Sequence, residues 1–104
     1  MAPRGLIEIS SKSIKYISII GGKLDKKTQL LKNYQDDSSL EEVYSGIKRE
    51  VKTIIRRNKG INYRTCILTG RYAKEPLADY LIESFKEDFS AITVRRYLTW
   101  TNSQ

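Results

Sequence analysis

Leu40, Val43, Tyr44, Ile47, Val51, Ile54 and Ile55 recur at intervals of three and four residues, and this spacing restricts the fold more than any other feature of the chain. It places apolar side chains on one face of an α-helix, and that face needs a second apolar surface to lie against. A polar break from Asp36 to Ser39 precedes the helix, and Ser39 and Glu42 stand at the spacing of a capping box. The helix is predicted to end near Asn58, with Gly60 taking a left-handed conformation just beyond.

The surface for that helix is a sheet. Leu6 to Ser10 reads as a short strand, Ser10-Ser11-Lys12-Ser13 as a polar turn, and Ile14 to Ile20 as a β-branched and aromatic strand. Gly21-Gly22 supplies a two-residue hairpin turn, because positive φ costs glycine little. A third strand follows between Lys23 and Tyr34, with imperfect alternation. Beyond the helix, Thr65 to Thr69 holds the unbroken run Cys66-Ile67-Leu68, which predicts a central strand covered on both faces. Gly70 ends that strand. Pro76 suits the first turn of a second helix, whose buried face is Leu77, Leu81, Ile82, Phe85 and Phe89. Ile92 to Tyr97 alternates as a final strand, and the tail from Thr99 to Gln104 is polar apart from Trp100. At 104 residues the chain is expected to be one domain with one modest core.

The element order, three strands, helix, strand, helix, strand, describes an α/β protein with a mixed sheet. It is the order of the ribonuclease H-like fold, an analogy of architecture and not of activity. Two stretches resemble the actin-like ATPases of that superfamily. Ile7-Glu8-Ile9-Ser10-Ser11-Lys12-Ser13-Ile14-Lys15-Tyr16 with Gly21-Gly22-Lys23 resembles their first phosphate loop, and Ile67 to Leu77 resembles their adenosine motif. The ending Thr101-Asn102-Ser103-Gln104 looks like a helix start of the ParM-like actins. Glu8 stands where that family has Asp, Ser10 where it has Gly, and Arg71 where it has a second Gly. A Cβ at Ser10 hinders close approach of backbone to phosphate. The actin-like fold has two such domains with nucleotide between them, whereas one is expected here. These departures imply a chain that does not turn over ATP.

Composition removes most other chemistry. The chain has no histidine, so His-containing zinc sites and Ser-His or Cys-His nucleophilic pairs are excluded. The single cysteine, Cys66, cannot form an intramolecular disulfide, which suits a reducing, cytoplasmic setting. Lys12, Lys15 and Ser18 interrupt the apolar residues near the start, so neither a secretory signal nor a membrane span is expected. Glu8 is the one carboxylate placed where a ribonuclease H-like nuclease would hold metal, but the strand Cys66 to Thr69 offers no second acid, and Glu8 is expected to face solvent or a lysine. No metal, cofactor or catalytic residue is expected.

The net charge of +7 favours an anionic partner: nucleic acid, an acidic protein or an acidic membrane surface, with nucleic acid or an acidic protein preferred. Lys48, Arg49, Lys52, Arg56 and Lys59 sit roughly opposite the apolar face of the long helix, with Arg57 and Arg64 extending the charge. Such a stripe contacts phosphates without reading sequence. Part of it also complements the helix dipole, with acids at the start and Arg56 and Arg57 at the end. A second candidate is a phosphate site at Ser10, Ser11, Lys12, Ser13 and Gly70, for which an ordinary polar hairpin is the plainer reading. Tyr16, Tyr34, Tyr63, Tyr72, Tyr97 and Trp100, near Arg95 and Arg96, either stack on bases or pack the core or an oligomer interface; core or interface is preferred. The expected function is therefore a non-catalytic binding protein on nucleic acid or another polyanion. The alternatives are a reduced actin-like protein that binds nucleotide weakly or associates with itself or an actin-like partner, and a divergent metal-dependent nuclease.

Overall fold

A β-branched strand that runs into two glycines favours a tight hairpin. In the computed structural model, which describes residues 3–32, 34–35 and 37–97, β2 (Ser13–Ile20) and β3 (Lys23–Leu30) form an antiparallel hairpin, with Gly21 and Gly22 both at positive φ. β1 (Arg4–Ile9) pairs antiparallel with β2. The chain continues through α1 (Leu40–Arg57), β4 (Asn62–Leu68), a 3₁₀ turn at Gly70–Ala73, α2 (Leu77–Asp88) and β5 (Thr93–Arg96). β4 lies parallel to β1 and β5 parallel to β4, giving one five-stranded mixed sheet in the order β3-β2-β1-β4-β5. The expected α/β architecture and element order are found.

Both crossovers, β3 to β4 and β4 to β5, step in the same direction along the sheet. Their shared handedness therefore sends both helices to one face. That face carries Ile7, Ile9, Ile14, Cys66 and Leu68, which meet Val43, Ile47, Val51 and Ile54 of α1 and Leu81 and Phe85 of α2 in one buried cluster. Edge-on contacts of Tyr44 with Tyr80 and Phe85 join the helices. The Ser39 hydroxyl accepts the Glu42 backbone N–H at 3.1 Å, as the capping spacing requires.

Several expectations need correction. The unbroken run Cys66-Ile67-Leu68 is covered on one face only: Cys66 and Leu68 are buried, while Ile67 pairs with Glu8 on the opposite, partly exposed face. β4 begins at Asn62 and not Thr65, because a bulge at Arg64 disrupts the alternation on which the prediction relied. β3 is exposed along its length apart from Gln29, so nothing selects for alternation there. Gly60 does not take the left-handed conformation; Asn58 ends α1 instead, its side-chain amide donating to the Ile54 carbonyl at 2.7 Å. Asp36, Trp100 and the Thr101–Gln104 stretch lie outside the described residues.

Gly46 shows how tightly the segment after β3 seats on α1. A Cβ at Gly46 would lie 1.5 Å from the Tyr34 hydroxyl oxygen, so the ring occupies the place of a side chain. Helix propensity alone would make Gly46→Ala stabilising by about 1 kcal/mol. The clash with Tyr34 reverses that sign, and the variant should be destabilised by roughly 1–3 kcal/mol, as overpacked cores are. Ile47→Ala, at a fully buried neighbour, should cost about 2–5 kcal/mol. Denaturant unfolding of both variants checks the pair: a stabilised Gly46→Ala or an unaffected Ile47→Ala would contradict this packing.

Candidate functional site

Parallel strands end at the same side of a sheet, and ligands of such sheets bind beyond their carboxyl ends. The turn after β1 and the turn after β4 meet there. The Thr69 backbone N–H and hydroxyl both donate to the Ile9 carbonyl, at 2.9 and 3.2 Å. The Arg71 backbone N–H donates to the Ser11 hydroxyl at 3.3 Å. Gly70 has φ +60°, and a Cβ on it would come within 2.7 Å of that hydroxyl. The Ser10–Ser13 turn is thus brought against Gly70 through Ser11.

The same contacts engage much of the turn's polarity within the protein. The Ser10 hydroxyl donates to the Ser13 carbonyl at 3.0 Å and lies 3.2 Å from the Ser13 hydroxyl. The Lys12 carbonyl accepts the Leu31 N–H at 2.9 Å. Arg71 turns its guanidinium away, donating to the Tyr34 carbonyl at 2.8 Å. The turn closes the sheet end whether or not an anion sits on it.

Glu8 does not gather a metal site. It lies on the sheet face away from the helices, opposite Lys15 on β2 and Ile67 on β4. Among the described residues no three Cys, Asp or Glu side chains stand close enough to hold an ion. A two-metal nuclease centre therefore does not fit this residue set. Cys66 is fully buried, and burial pushes its thiol up to about 12, so the thiolate is suppressed.

The basic stripe is assembled differently from its reading in sequence. Arg49, Lys52 and Arg56 are exposed on α1, and Lys59 lies in the turn after the helix ends at Arg57. Ser45, Lys48, Arg49 and Lys52 line a shallow groove of about 260 Å³. An acid adjoins it: Asp88, at the end of α2, sits 3.2 Å from the Lys48 ammonium and accepts the Tyr44 hydroxyl at 2.6 Å. Sequence reasoning missed Asp88 and Tyr44 as partners of the stripe, since only the packing of α2 on α1 brings them together. The Tyr44 hydrogen bond, then that of Lys48, holds the Asp88 carboxyl below its ordinary range. Burial and then Asp88 push the Tyr44 hydroxyl up.

Most of the tyrosines serve packing. Tyr34, Tyr63 and Tyr72 are buried, the Tyr72 hydroxyl without a hydrogen-bond partner among the described residues, while Tyr16 is half-buried against the core and Tyr97 is exposed. Arg96 is paired with Glu75.

The sequence matches no protein-family model and no curated protein. The fold does have solved counterparts. It is similar to a Ppx/GppA family member of Aquifex aeolicus, with a TM-score of 0.55 and 19% identity over 91% of this chain and 35% of that one. A type II variant of the Aquifex aeolicus Ppx/GppA phosphatase gives 0.56 and 18%, over 92% and 36%. The T. thermophilus RuvC in complex with Holliday junction substrate gives 0.50 and 11%, over 93% and 64%. This chain therefore spans about a third of the Ppx/GppA chains. The fold is ribonuclease H-like.

The Tyr44–Asp88–Lys48 cluster has a defined pH signature. A carboxyl depressed in the folded state stabilises above its unfolded pKa and loses that contribution as pH falls through the folded value. The stability difference between wild type and Asp88→Asn should therefore hold near neutrality and shrink below about pH 4. Urea unfolding of both proteins across that range is the measurement; a difference independent of pH would show that the carboxylate is not engaged.

Proposed function

We propose that this domain is a non-catalytic binding module that holds nucleic acid on the exposed face of α1. The observation that carries the reading is the shallow groove beside Lys48, Arg49 and Lys52, continued by Arg56 and Lys59. Lys48 is paired with Asp88, which offsets part of its charge, so Arg49, Lys52, Arg56 and Lys59 carry most of the row. Arginine and lysine side chains in a row neutralise successive phosphates and release counterions, with a salt slope of about −0.9 per phosphate contacted on duplex DNA. Nothing in the groove offers a base-reading pattern, so little sequence preference is expected. The similarity to RuvC, a structure in complex with a Holliday junction substrate, is compatible with a nucleic-acid ligand on this fold.

A second reading rests on the turn at the carboxyl ends of β1 and β4. Ser11, in the turn that resembles the phosphate loop of the actin-like proteins, contacts Gly70, in the stretch that resembles their adenosine motif, and the fold is similar to the Ppx/GppA phosphatase. This reading is a reduced actin-like protein that binds nucleotide weakly or associates with itself or an actin-like partner. The Cβ of Ser10 and the internally bonded hydroxyls weigh against a tight complex. Titration calorimetry with Mg-ATP should show no tight binding, and no phosphate should be released. A tight complex would move the actin-like reading to first place.

The first reading is tested by fluorescence anisotropy with a labelled DNA duplex at low and moderate salt. Arg49→Glu with Lys52→Glu suits the test because both residues are exposed and neither is tied to Asp88. The double variant should bind at least about tenfold more weakly with a shallower salt slope. Asp88→Asn should strengthen binding by removing the acid beside the groove. Equal affinity of wild type and double variant, or no wild-type binding at low salt, would reduce the stripe to a solvated helix face.

A further inference from the structure

We propose that the sheet face opposite the helices is a second docking surface, built for an amphipathic helix whose apolar stripe is flanked by acidic side chains. Cross-strand pairing places Leu6, Ile17, Ile19, Leu24 and Ile67 together on this face, over four adjacent strands. Ile19 and Leu24 are 58% and 67% exposed, which is unusual for paired strand residues of this size. A groove of about 320 Å³ runs between them, bounded by Leu6, Ile17 and Arg4.

The sequence and the structure disagree here in an informative way. Cys66-Ile67-Leu68 has the unbroken apolar pattern of a strand covered twice, yet the described residues cover it once. β1 is similar, with Leu6 on the open face and Ile7 on the core face. An occupant of this face must be wide enough to span several strands. A helix, about 10 Å across, covers two to three strands set about 4.8 Å apart.

Charge selects the occupant. Arg4, Lys15, Lys26 and Arg95 lie on this face by register, against Glu8 as the single acid there among the described residues. A second copy docked symmetrically would set this basic rim against itself. Nucleic acid would find aliphatic side chains at the centre and no aromatic strand residue to stack on. A helix with leucine or isoleucine along one stripe and glutamate or aspartate beside it satisfies both the centre and the rim.

The probe is a fluorescently labelled synthetic peptide of about 18 residues, with leucines at helical spacing flanked by glutamates. A matched peptide carries lysine in place of every glutamate. Wild type should bind the glutamate peptide at least about tenfold more tightly than the lysine peptide. Ile19→Gln with Leu24→Gln, at two exposed positions and with no change of charge, should retain the fold by thermal unfolding and lose that binding. Binding that survives the double substitution would be attraction to basic charge alone and would overturn the proposal. So would equal affinity for the two peptides, or no binding of either. Sedimentation showing a wild-type dimer that the same substitutions dissolve would assign the face to a second copy and overturn it as well.

Discussion

The parallel pairing of β1 with β4 is the contact on which the rest of the structure depends. A parallel pair cannot be closed by a hairpin and needs a crossover, which here is α1. The pair joins the β1–β2–β3 meander to the α2 and β5 half of the chain. Ile7 and Ile9 on β1 and Cys66 and Leu68 on β4 are all fully buried beneath the helices. Full burial of each such aliphatic side chain contributes about 1.5–3 kcal/mol before the entropy of ordering is counted. Thr69 extends the pairing past the strand end with two bonds to one carbonyl, and the Ser11–Arg71 bond fastens the turn above it. The geometry of the sheet end thus follows from closing this pair, and the turn has a structural job independent of any ligand.

Once β4 and β5 add on the same side of β1, the helices have no choice of face. Their stacking produces the Tyr44–Asp88–Lys48 contact, which links the end of α2 to the middle of α1. It also leaves the other face of the sheet uncovered among the described residues. The two candidate surfaces therefore have one origin. Packing α1 against the sheet turns its cations outward, and placing both helices on one side leaves aliphatic residues outward on the other.

The elements themselves were legible in the residues. The three-and-four spacing from Leu40 to Ile55 marks α1, Ser39 and Glu42 mark its start, and Gly21-Gly22 marks the hairpin, because each of these is a local preference of backbone or side chain. The order of elements then narrowed the fold, since right-handed crossovers leave few ways to assemble it. The limits of β3 and β4 were not legible: an exposed edge strand carries no burial pattern, and a bulge breaks the one that β4 has. Of the candidate sites, the meeting of Ser10–Ser13 with Gly70 could be expected from the fold, whereas the internal bonding of those hydroxyls could not. Asp88 was beyond reach for the same reason, being distant from Lys48 in sequence and adjacent only after α2 packs.

The sequence by itself determined that this is a basic, histidine-free α/β chain with a strongly amphipathic helix and a ribonuclease H-like order of elements. These are properties of composition and short-range periodicity, which need no knowledge of distant contacts. Only the tertiary structure decided which groups are neighbours: Lys48 with Asp88, Tyr34 over Gly46, Glu8 opposite Lys15. It alone decided that Ile67 lies on the uncovered face of a sheet while Cys66 and Leu68 lie beneath the helices. Alternation tells which residues share a face of a strand, but the direction of the crossovers, set by the pairing of β1 with β4, determines which face is covered.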